Sequence, residues 1–125
     1  MNKVFLIALI FSLFSCESSK KLSEKTVTDS EINYRFRVSF FSIGSGIDGD
    51  AKQEYMNFLR SFEAKMNTNI SYEVNQWGKE GETNFCFKLA ELSEKDQLQF
   101  IAESKDKLKN AKNVRFIENE PCLRN

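Results

Sequence analysis

An α+β domain with the ferredoxin-like β-α-β-β-α-β order is the fold this sequence predicts, and three observations predict it. Phe36, Val38 and Phe40 alternate with polar residues, the period-two signature of a strand buried on one face. Ala51, Tyr55, Phe58, Leu59, Phe62 and Met66 recur at helical spacing and make one apolar stripe. The alternating pattern then returns twice, gives way to a second helical stretch and closes on a short fourth strand. A four-stranded antiparallel sheet of order 4-1-3-2 with two helices on one face satisfies that succession.

Each element has its own local reason. Residues 34–43 form the first strand, which puts Arg35 and Arg37 on the open face with Lys88 opposite and Glu73 two strands away. Residues 44–49 are a glycine-rich loop. Asp50 is placed to cap the first helix, with Gln53 in the capping-box position. Residues 67–69, Asn-Thr-Asn, end that helix. Ile70, Tyr72 and Val74 alternate as the second strand, residues 77–81 turn the chain, and Phe85, Phe87 and Leu89 form the third. Ser93 caps the second helix with Asp96 in the capping-box position, and Leu98, Ile101, Ala102 and Leu108 are expected to face inward. Asn110 is suited to a left-handed stop. Val114 to Glu118 completes the sheet.

The first sixteen residues read as an address. Lys3 gives a positive start, residues 4–14 are apolar except for Ser12, and the composition turns polar at Glu17. Eleven residues of helix span roughly 16 Å at about 1.5 Å per residue, against a bilayer core of about 30 Å. This pattern is that of a secretory signal, not of a membrane-spanning helix. The signal ends Leu13-Phe14-Ser15-Cys16, which resembles the lipobox of bacterial lipoproteins, although Phe14 departs from the usual small or aliphatic residue. That resemblance implies cleavage before Cys16 and acylation of its thiol, and more than one acyl chain gives stable anchoring. Ordinary secretion with Cys16 free is the alternative. Residues 1–15 are thus expected to be a signal peptide, 16–32 a polar tether and 33–125 the domain. Loss of Lys3 with the signal leaves one acidic residue in excess, so the lipid and not the protein surface is expected to hold the membrane. The alternating Phe residues of the first strand, the Trp-Gly-Lys-Glu-Gly-Glu turn at 77–82, Cys86 and Cys122 loosely resemble small lipoproteins of the Bacteroidota, a resemblance that implies no particular activity.

Composition excludes several function classes. The 125 residues contain 18 Lys and Arg, 18 Asp and Glu, and no His. Without His there is no Ser-His or Cys-His nucleophile pair, and the commonest zinc ligand is missing. Balanced charge argues against a nucleic-acid partner. No paired carboxylates and no Cys-x-x-Cys motif stand out, so no catalytic residue, metal or cofactor is expected.

Three features remain as candidate sites. Gly44, Gly46 and Gly49 match G-x-G-x-x-G between a strand and a helix, with Glu73 near the expected acidic position. Against a nucleotide stand the antiparallel sheet, the chain's length, its expected export, and Asp48 and Asp50, which would repel a pyrophosphate. Plain turn glycines are the alternative. The hairpin carries Trp77 and Lys79 and should emerge at the same end of the sheet as the glycine loop, so Trp77, Lys79, Gly44, Gly46 and Asp48 form a candidate binding surface. Trp77 reads equally as a residue packed over the edge of the core. Third, with Cys16 lipidated, Cys86 and Cys122 are an even pair in an oxidising compartment. Strands 3 and 4 flank strand 1, roughly 10 Å apart at about 4.8 Å per spacing, beyond the reach of about 7 Å for a direct bridge. A bridge needs the tail to turn after Pro121 and cross strand 1, which would cover part of the Arg35/Arg37 surface. Two free thiols stay open as the alternative. The expected role is therefore a lipid-anchored envelope protein, on the periplasmic side of the outer membrane. It would bind a protein or small ligand without catalysis. A small nucleotide- or anion-binding protein or enzyme using the glycine loop is the alternative.

Overall fold

The computed structural model describes residues 32–122. The expected signal peptide, Cys16 and all but the last residue of the tether lie outside the described residues. The elements are β1 (Asn33–Phe40), α1 (Gly49–Met66), β2 (Tyr72–Gln76), β3 (Thr83–Phe87), α2 (Glu94–Lys107) and β4 (Val114–Pro121). They form one four-stranded sheet of order β2-β3-β1-β4 in which every neighbouring pair is antiparallel. This is the ferredoxin-like α+β arrangement.

The core lies between one sheet face and the two helices. Phe36, Val38 and Phe40 of β1 and Phe85 and Phe87 of β3 project to it, where they meet Tyr55, Leu59 and Phe62 of α1 and Phe100 and Ile101 of α2. Phe100 joins the layers, with ring centroids 5.1 Å from both Phe62 and Phe87 and 6.2 Å from Phe36. Aromatic pairs at this spacing add about 0.5–1.5 kcal/mol each beyond the burial of their surface. The buried Tyr55 hydroxyl in this layer is satisfied by Ser104 Oγ of α2 at 3.2 Å, and burial raises its pKa well above that of a free phenol.

Three local expectations are corrected. Asp48, not Asp50, caps α1: its Oδ1 accepts from Ala51 N at 3.0 Å, and Asp50 falls in the first turn. The inward stripe of α2 is Phe100, Ile101, Ser104 and Leu108. Leu98 is 60% exposed and Ala102 also faces out, because the helix is rotated to bring the bulk of Phe100 over β1 and β3. Asn110 does not take the stop: α2 ends at Leu108 with φ −102°, whereas α1 ends at Asn67 in the left-handed region with φ 48°. The Ser93 cap of α2 is present, its Oγ accepting from Asp96 N at 3.2 Å and donating to Asp96 Oδ2 at 2.7 Å.

β2 is the thinly covered edge. Tyr72 and Val74 lie on the helix side, opposite Phe87 and Phe85, yet they are 40% and 48% exposed. Tyr72 touches both Phe rings of β3.

Candidate functional site

The glycine loop and the hairpin do meet at one end of the sheet. Gly44 and Gly46 have φ of 106° and 82°, a region that glycine enters without a Cβ penalty. That curl brings both of their N–H groups onto Ser42 Oγ, at 3.1 and 3.0 Å, while the Ser42 hydroxyl donates to Glu80 in the hairpin. Asp48 is equally engaged. Its Oδ1 caps α1 and its Oδ2 accepts from Lys112 N at 3.0 Å, which ties the loop to the start of β4. These two backbone donors, Lys112 first, hold the Asp48 carboxyl below its ordinary value. A phosphate cradle needs several N–H groups converging on open space. Here those of Gly44, Gly46 and Ala51 are already committed to side chains of the same segment.

Trp77 follows β2 and lies half-buried on the open side of the sheet. Its backbone N–H closes the hairpin on Glu82 O at 3.0 Å, and its indole N–H donates to Asn84 Oδ1 at 3.1 Å. The same oxygen accepts from Ser39 Oγ of β1 at 2.7 Å. Trp77 is thus one end of a polar chain that crosses three strands, and it covers the buried Asn84. Lys79 is exposed at the tip.

The open face is closed further along by the C-terminal tail. Cys86 and Cys122 are joined by a disulfide, with Cα atoms 5.9 Å apart and a sequence separation of 36. Cys86 of β3 is the ladder partner of Arg37 of β1, and β1 lies between β3 and β4, so the end of the chain crosses β1 to reach it. Asn75 of β2 donates to both the carbonyl and the Sγ of Cys122, at 3.3 and 2.9 Å. Arg37 lies beneath the crossing and is only 5% exposed. It donates from Nη1 to Pro121 O at 2.9 Å, and Nη2 lies 3.8 Å from Glu120 Oε2. Burial pulls its pKa below the usual guanidinium value, an effect that Glu120 opposes and Arg115 reinforces.

Arg35 does not share that face with Arg37. The β1–β4 ladder skips Arg35 and Asn119, and Asn119 sits in the left-handed region with φ 58°. Arg35 pairs with Glu118 at 2.8 Å, and the other oxygen of Glu118 takes Lys105 of α2 at 2.8 Å. Tyr34 stands with Glu73 and Lys88 instead: its hydroxyl donates to Glu73, and the Lys88 ammonium lies 5.5 Å above its ring. These residues, with Cys86, Ser71, Tyr72, Ala90 and Glu91, line a shallow groove of about 180 Å³. Strict alternation missed both placements, because a break in the ladder leaves no mark on periodicity.

Comparison of the chain with protein-family models, with curated proteins and with solved structures finds no match.

Proposed function

We propose that the chain is an exported, lipid-anchored protein of the bacterial cell envelope that acts as an interaction module and not as a catalyst. The observation that carries the compartment is the Cys86–Cys122 disulfide, since such bonds persist where the milieu is oxidising. Among the described residues no helix is long and apolar enough to cross a membrane, so attachment would rest on Cys16 and its acyl chains. Support for binding comes from β2. It is an edge strand with one free backbone side, and Tyr72 and Val74 are left uncovered beside it. The partner that fits is an extended protein segment that adds to the β2 edge and lays alternate apolar side chains on those two residues. The alternative of a nucleotide on the glycine loop loses support, because Ser42 and Asp48 already take the loop's N–H groups.

Metabolic labelling with a palmitate analogue tests the anchor. The wild type should take the label into the membrane fraction, and Cys16→Ser should not. An unlabelled wild type in the soluble fraction overturns the anchor. A photo-crosslinker at residue 74, used in intact envelopes, tests the module: a discrete adduct that Tyr72→Lys abolishes supports it, and no adduct above that of a crosslinker at residue 99 on α2 argues against it.

A further inference from the structure

We propose that the open face of the sheet holds an oxyanion-binding site centred on Arg37, and that the disulfide-held tail occupies this site as a built-in stand-in for the ligand. This site is independent of the anchor and of the β2 edge.

A guanidinium has five donors, and one taken out of water is normally matched by a carboxylate in a paired geometry. Arg37 is matched poorly. Nη1 has a neutral carbonyl, Nη2 faces a carboxylate at 3.8 Å, and Nε is buried with no hydrogen-bond partner. The Glu120 side chain that should compensate the charge is itself 62% exposed. A buried cation so thinly paired is costly unless something holds the cover in place. The bridge does that, one strand away, at the residue directly opposite Arg37.

The surroundings favour an anion. Arg115 of β4 pairs with Ser39 of β1, two positions from Arg37, and the two guanidinium charges repel each other. Ser39 and Asn84 supply a polar floor on the same side. The atoms the tail brings to Arg37, a carbonyl oxygen and a carboxylate, have the chemistry of the ligand they would displace: a carboxylate or a phosphate. Release needs a dithiol. Two electrons pass from it to the Cys86–Cys122 bond, which becomes two thiols while the dithiol closes to its own disulfide. The Tyr34–Glu120 and Asn33–Pro121 pairings at the end of the β1–β4 ladder, with the hydrogen bonds of Asn75 and Arg37, then remain to hold the end of β4, and the ligand displaces it in competition with them.

The test uses inorganic phosphate, with citrate as the carboxylate probe, and follows the Arg37 Nε–H resonance together with calorimetry. The dithiol-reduced chain and Cys86→Ser/Cys122→Ser should bind at least one of the two anions ten-fold or more tightly than the oxidised chain, and Arg37→Gln should abolish the gain. Equal binding by oxidised and reduced chains, or a gain that survives Arg37→Gln, overturns the proposal. If the cysteine variant does not hold its fold, Glu120→Gln with the bridge intact decides. It removes the competing carboxylate and should bind phosphate several-fold more tightly than the wild type, and no gain overturns the site.

Discussion

The two faces of the sheet are closed by different physics. The helix side is closed by area: Phe36, Phe40, Phe85 and Phe87 disappear under Tyr55, Phe62 and Phe100, and the hydrophobic effect needs no particular partner. The other side is closed by specific bonds: one disulfide, an Asn84 oxygen shared by Trp77 and Ser39, and an arginine under a carbonyl. Non-directional burial tolerates exchange among apolar residues of similar volume. A polar, bonded face tolerates little, because each lost partner strands another group.

The largest effect should come from the first face. Phe100→Ala removes a ring in contact with Phe36, Phe58, Phe62 and Phe87, and should cost about 3–5 kcal/mol. Urea unfolding followed by circular dichroism measures it, and a loss below 1 kcal/mol would mean that α2 does not seal the core. Next comes the bridge. Cys86→Ser/Cys122→Ser opens a loop with a sequence separation of 36 residues and should lower stability by about 3–4 kcal/mol. A loss as large as this on the second face would make one covalent bond equal to a core aromatic.

Smaller effects sharpen the contrast. Asp48→Ala removes the α1 cap and the link to Lys112, for about 1–2 kcal/mol. The pH dependence has a fixed sign. The folded carboxyl of Asp48 lies below the ordinary value of 3.8, so its contribution is present above that value and fades as pH falls through the depressed folded pKa. Glu118, held down by Lys105 and then Arg35, acts in the same direction. The gap in urea midpoint between wild type and Asp48→Asn should therefore shrink below about pH 4. Smallest is Trp77→Phe, which keeps an aromatic ring and removes the indole N–H, for about 1 kcal/mol. A change near zero would return Trp77 to the role of a free binding anchor.

The same contrast explains what the sequence made legible. Alternation in 36–40 and the stripe from Ala51 to Met66 are area signals, and they suffice for the element order and the sheet. Phe100 was missed because Leu98, Ile101 and Ala102 also satisfy a helical period, and only ring volume separates the two stripes. On the open face, cysteine parity raised the bridge and Pro121 suggested the turn. A bridged tail implied cover over part of the Arg35/Arg37 surface, and Arg37 is buried there, but nothing in the pattern announced that Arg35 would leave the face or that Ser42 would gather the glycine N–H groups. Those outcomes depend on a ladder break at Asn119 and on side-chain reach, which no period encodes.

The crossing of the tail has a topological consequence. Residues 86–122 form a covalent ring: it leaves β3, passes under the sheet as α2, rises as β4 and returns over the open face to Cys86. β1 lies inside that ring, between β3 and β4, with Phe100 on its helix side and the Cys86–Cys122 bridge on its open side. The central strand is therefore threaded, and the order of assembly matters. Oxidation after β1 has docked seals the strand in place. Oxidation before it obliges the N-terminal part of the chain to pass through a closed loop, so a chain oxidised too early would refold slowly and by a different route.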